Sequence, residues 1–213
     1  MTETAPTVLV LACGALAHEI VAVLRASGWK HVAVQCLPAA LHNTPAAIPE
    51  RVRAALAAVR GRYERVFVAY ADCGTGGELD RVLREEGVER IPGAHCYEFF
   101  AGSQLFAGLA EEEPGTFFLT DFLARHFDRL VMEGLGLNRH PELLPVYFGN
   151  YRRLVYLSQS DSAELLARAQ EAAARLKLEF EHRHVGHDNL AGVLNHGIRM
   201  VSKNGKADRR LLA

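Results

Sequence analysis

A Rossmann-like α/β fold of three layers, built on a mostly parallel sheet, is what this sequence predicts. Strand-like and helix-like segments alternate along the chain, from TVLVLA at residues 7–12 to the last apolar stretches. The strand-like segments are mostly unbroken apolar runs, as expected when helices cover both faces of a sheet. The turns that follow them gather glycine, cysteine and acidic residues, the composition of a ligand-binding sheet edge.

The elements follow in order. Residues 7–12 form strand one. Residues 16–26 carry apolar side chains at helical spacing, at Leu16, Ile20, Val23 and Leu24, and Gly28 stops the helix. HVAVQCL at 31–37 is strand two, closed by Pro38. The loop PAALHNTPAAIP carries prolines that prevent regular structure throughout. Residues 50–60 are an alanine-rich helix, 65–71 strand three, 77–86 a helix and 89–92 a short strand four. A helix is expected over 97–110, strand five at 116–120, a helix over 122–135 and strand six at 151–158. A strong helix covers 163–176, an alternating edge strand 177–184, and a short helix or turn 189–195. No internal repeat interrupts this order, so one domain over residues 1–200 is expected, with a polar tail at 201–213.

Composition narrows the function classes. Hydrophobic residues are 49% of 213, enough for a core without disulfide staples. A net charge of -1 gives no electrostatic footprint for nucleic acid or an anionic membrane surface. MTETAPT is polar, and no apolar stretch approaches the ~18 residues that span a bilayer. A cytoplasmic protein acting on a small molecule is the expectation. In a reducing compartment, four cysteines read as thiols, metal ligands or nucleophiles.

The chemistry is expected beyond the carboxyl ends of the strands. Strand one ends at Cys13, and the loop after strand two carries His42 and Asn43. Strand three ends at Asp72-Cys73, strand four at His95-Cys96 with Glu98 following, and strands five and six at Asp121 and Gln159. Thiolate, imidazole and carboxylate are the usual zinc ligands, and three of them with an open position make a catalytic site. Cys13, Cys73 and Cys96 are the expected ligands of Zn²⁺, with His95 or His42 as substitute or fourth; iron, haem or a corrinoid fits the same residues. His42, Glu98 and Asp72 are the candidate acid–base groups, His42 as fourth ligand or general base and Asp72 as an outer acceptor. Spacing alone gives no C-x-x-C pair, and each cysteine taken singly reads equally well as a small buried hydrophobe. Cys36, inside strand two, reads as core.

Gly74, Gly76 and Gly77 follow Cys73 where a strand hands over to a helix. Backbone N–H groups there can hold a substrate anion, or the glycines can simply permit a tight turn. Asn43, Asp121 and Gln159 complete the candidate substrate contacts, although Asp121 equally suits a helix cap. His182 and His184 share a strand face and read as exposed edge residues.

Several of these motifs together resemble one family. Cys13-Gly14-x-Leu16, the LHNTP loop, YADCGTGGEL, GAHCYE, GTFFLTDFLARHFDRL and YFGNYRRLVYLSQ are similar to the bacterial and archaeal family catalogued as domain of unknown function 1638. Its members are often encoded beside corrinoid-dependent methyltransferases acting on methylated amines. The resemblance implies one-carbon metabolism and a corrinoid methyltransferase system as partner. It carries over no residue roles, so a metal-dependent enzyme stands beside two alternatives: a metal-, haem- or corrinoid-handling accessory protein, and a metal-free cysteine nucleophile.

Overall fold

Val8–Cys13 forms strand β1, and all six of its side chains are buried. That follows from its place inside a sheet, since an apolar run without alternation must be covered on both faces. The structure, a computed structural model, describes residues 6–207, with side chains as far as Arg199. The chain divides into two compact units. The first runs up to Cys96 and resumes at Leu190; the second spans Tyr97–Asn189.

In the first unit, β1 pairs with β2 (Val32–Leu37) on one side and β3 (Arg65–Ala69) on the other, and β4 (Glu89–Arg90) completes a parallel sheet of order β2-β1-β3-β4. Helices α1 (Ala17–Ala26), α2 (Ile48–Val59) and α3 (Glu78–Glu86) make the crossovers. Arg53 on α2 and Arg60 just past its end pair with Glu85 and Glu86 on α3 at 2.7 Å. The chain leaves β1 toward β2 and returns past β1 to β3, so strand order reverses between β1 and β3. A ligand crevice in such a sheet opens outside the carboxyl ends of those two strands.

The second unit holds α4 (Tyr97–Ala101), α5 (Ser103–Glu112), β5 (Thr116–Thr120), α6 (Asp121–Arg125), α7 (Leu144–Phe148), β6 (Arg153–Ser158), α8 (Ala163–Leu176) and β7 (Glu179–His184). Its parallel sheet has the order β5-β6-β7. Central β6 sorts its side chains by alternation. Leu154 and Tyr156 pack with Leu165, Ala169 and Ala173 of α8, whereas Val155 and Leu157 pack with Ala101, Leu109 and Phe118. Ser162 caps α8 by accepting the Leu165 N–H.

The predicted class holds: helices flank parallel strands throughout. Several sequence expectations change. The seven strands form two sheets, not one. The helix expected over 97–110 breaks at Gly102, whose φ of 77° is outside the helical region. The short terminal element becomes the long helix α9 (Asp188–Ala207), which enters the segment read as a tail; residues 208–213 of that segment lie outside those described. Gly197 lies within α9, where a Cβ would sit 2.2 Å from the Phe67 ring. Cys36 is exposed, since β2 is an edge strand.

Candidate thiol–imidazole site

Cys13 ends β1 and caps the next turn, its sulfur accepting the Ala15 N–H at 3.4 Å. Gly14 is required there: a Cβ would lie 2.9 Å from the Leu37 carbonyl oxygen. This close approach ties the end of β1 to the loop leaving β2. That loop forms a short 3-10 turn, Ala39–Asn43, and carries His42 back over β1. The His42 Nδ1 lies 3.6 Å from the Cys13 sulfur.

Cys73 and Cys96 meet because pairing continues past the ends of β3 and β4. Asp72 N–H donates to the Gly93 carbonyl and Cys73 N–H to that of Ala94, at 3.1 and 2.9 Å. The two sulfurs are then 3.2 Å apart. Cys73 itself has a φ of 50°, unusual for a residue with a side chain. Among the described residues, His42, Cys73 and Cys96 offer ligand atoms that all lie within 4.8 Å of one another. Tetrahedral zinc with bonds of ~2.3 Å to sulfur and ~2.0 Å to nitrogen separates its ligand atoms by roughly 3.5–3.8 Å. The sulfurs, 3.2 Å apart, would part slightly to hold such an ion.

Electrostatics within the group are divided. The contact with Cys96 and the nearby His42 outweigh burial and lower the Cys73 pKa. The same contact and burial push the Cys96 thiol up. Burial opposes protonation of His42, but Cys13 and Cys73 outweigh it and push the imidazole up to about 10. His42 keeps an exposed edge, so solvent screens part of that pairing. Tyr70, which follows β3, is wholly buried, and its hydroxyl makes no hydrogen bond of ordinary geometry. The Cys13, Cys96 and Cys73 sulfurs are all near enough to bear on its ionisation.

The structure places the other candidates as follows. Cys13 adjoins the three-residue group through His42 and is not one of its members; His95 is exposed and also lies outside it. Asn43 is exposed beside His42. The Asp72 carboxylate accepts from the Thr75 hydroxyl at 2.6 Å and from the Gly77 and Gly76 N–H groups at 2.9 and 3.1 Å. Those bonds, the Thr75 contact foremost, hold its pKa below the usual carboxylate range. They also commit Asp72 to closing the loop, and they remove the Gly76 and Gly77 amides as anion donors. Gly74, Gly76 and Gly77 all have positive φ, which is what the tight turn needs.

Glu98, Asp121 and Gln159 belong to the second unit. Glu98 lies in the first turn of α4. Thr120, not Asp121, caps α6. Buried Asp121 accepts from Tyr156 Oη at 2.7 Å and from the Gln159 and Ser160 N–H groups at 3.0 Å, and Gln159 Oε1 accepts the Asp121 N–H in return. This network joins the ends of β5 and β6.

Two features were not read from the sequence. Tyr70 opens the motif YADCGTGG but reads as the last core residue of an apolar run. Ser158 Oγ sits between His182 Nε2 at 2.9 Å and His184 Nδ1 at 3.0 Å. The two-residue spacing of the histidines was the available signal, but the serine comes from the neighbouring strand.

Among the described residues, no helix is long and apolar enough to cross a membrane. No curated protein and no solved structure matches the chain. A family described as "Protein of unknown function (DUF1638)" matches residues 36–194, a span that takes in His42, Cys73 and Cys96. The chain belongs to that family.

Proposed function

We propose that this protein is a metal-dependent enzyme, loaded with zinc, that acts on a small polar metabolite. The observation that supports this reading is the approach of the His42, Cys73 and Cys96 ligand atoms to within 4.8 Å in a chain with four free cysteines. Three such donors leave a fourth position for substrate. The bound ion would supply Lewis acidity there, to activate a water or a thiol. A donor set rich in sulfur is soft and favours the thiol.

The residues have separate tasks in this reading. Cys73 and Cys96 supply the sulfurs. Cys13 takes the Nδ1 side of His42 and leaves Nε2 free to ligate, the orienting role that a partner of a ligating histidine usually plays. Asp72 shapes the loop that holds Cys73 in its left-handed conformation. A role in methylated-amine or one-carbon metabolism, beside a corrinoid methyltransferase system in the cytoplasm, is part of the same proposal.

One observation favours a second reading. The Cys73 thiolate beside a protonated His42 is also the pair of a metal-free cysteine nucleophile. Protein purified without a polyhistidine tag distinguishes the two. Elemental analysis should find about one zinc per chain. Cys73→Ser, Cys96→Ser and His42→Ala should each lose it, and Cys36→Ser should keep it. Cys13→Ser should weaken affinity by about 10–100-fold, as outer partners do. A metal-free protein whose Cys73 alone reacts with iodoacetamide at mildly acidic pH would establish the nucleophile instead. An absorbance spectrum of the same sample reads out haem, cobalamin or an iron–sulfur cluster.

A further inference from the structure

Tyr70 is 0% exposed, and its hydroxyl is without a hydrogen bond of ordinary geometry. Such a group is rare and costly, because burial strips its water and only the Cys13 sulfur, a weak acceptor, approaches it. Phenylalanine would fill the same space at no such cost. The hydroxyl does not lie in an indifferent part of the core. Cys13, Cys73 and Cys96 are all among the groups that act on it. Asp121 and Gln159, also buried and polar, have their partners within the fold.

We propose that the Tyr70 hydroxyl donates a hydrogen bond to a small anion bound at the open position of the thiol–imidazole site. The inference rests on the metal reading above and adds the class of ligand. A phenol is protonated at neutral pH, so the sealed hydroxyl acts as a donor and calls for an acceptor. A sealed donor reaches only a compact ligand, and an anion draws the stronger bond. Tyr70 is therefore a binding residue for the atom that takes the fourth position.

The test uses the full chain loaded with Co²⁺ in place of zinc, with azide as the anionic probe. The visible spectrum reports both metal loading and azide binding. The wild type should take up about one cobalt per chain. Tyr70→Phe should hold the same amount and bind azide about 10–100-fold more weakly, the range for a hydrogen bond to a charged group. Equal azide affinity in the two proteins would overturn the role of Tyr70 and leave the metal reading standing. So would loss of cobalt by the variant, which would make Tyr70 part of the metal scaffold. A cobalt-loaded wild type that ignores azide would overturn the anion. A wild type that takes up no metal would overturn the metal reading, and this inference with it.

Discussion

Replacing Tyr70 by phenylalanine in the metal-free protein should make the first unit more stable. The hydroxyl is sealed from water and lacks a hydrogen bond of ordinary geometry. Removing an unsatisfied buried polar group recovers about 1–3 kcal/mol. The void left by one oxygen, roughly 10–15 Å³, returns about 0.3 kcal/mol of that. The net expectation is a gain of about 0.7–2.7 kcal/mol. With a urea slope of about 2 kcal/mol/M, the midpoint rises by roughly 0.4–1.4 M. Trp29 is the only tryptophan and lies in the first unit, so its fluorescence follows that unit directly. The measurement is made under chelator and reductant, so that neither metal nor disulfide contributes. A variant less stable by about 1 kcal/mol would refute the reasoning. The hydroxyl would then already have a partner, Cys13 being the neighbour that acts on it most strongly, and no ligand would be needed to explain it. Confirmation would show a residue kept at a cost in stability, the usual signature of a group retained for binding.

Two further outcomes follow from the geometry. Asp121→Asn should destabilise the second unit by about 2–3 kcal/mol, because the new amide NH₂ would face donors where a carboxylate now accepts; circular dichroism in urea measures it, and an unchanged midpoint would contradict the network. Arg90 grips Asp80 at 2.6 and 2.9 Å and, against some burial, pulls its pKa below the usual carboxylate range. A depressed folded value means the pair stabilises above the unfolded carboxylate pKa of about 3.9, and that contribution fades as pH falls through the folded value. Asp80 is partly exposed, so screening limits the effect to about 0.5–1 kcal/mol. Asp80→Asn should lower stability at neutral pH by that amount and flatten the acid limb of a stability profile; a parallel acid limb would refute it.

Much of the fold is legible because it is written locally. The run VLVLAC is apolar without alternation, and only a strand covered on both faces accepts such a run. The glycines after Cys73 announce a left-handed turn because glycine adopts positive φ freely. From these signals alone come the parallel strands, the crossover helices, and thiols placed at the carboxyl ends of β1, β3 and β4. What tertiary structure decides is pairing between distant segments. Whether β4 is followed by a fifth strand of one sheet or by a second sheet depends on hydrogen bonds that no local pattern encodes. Residues 189–195 read as a short element, and only Phe67, far away in sequence, shows why α9 carries a bare backbone at Gly197. Cys36 reads as core until β2 proves to be an edge. The site follows the same division. Cys73 and Cys96 meet through backbone bonds between the ends of β3 and β4, His42 arrives on a loop passing over β1, and Cys13 is left to hold the imidazole. Ligand atoms a few ångströms apart are fixed by which loops converge. That convergence depends on strand order and register, which are settled only when the whole sheet has formed.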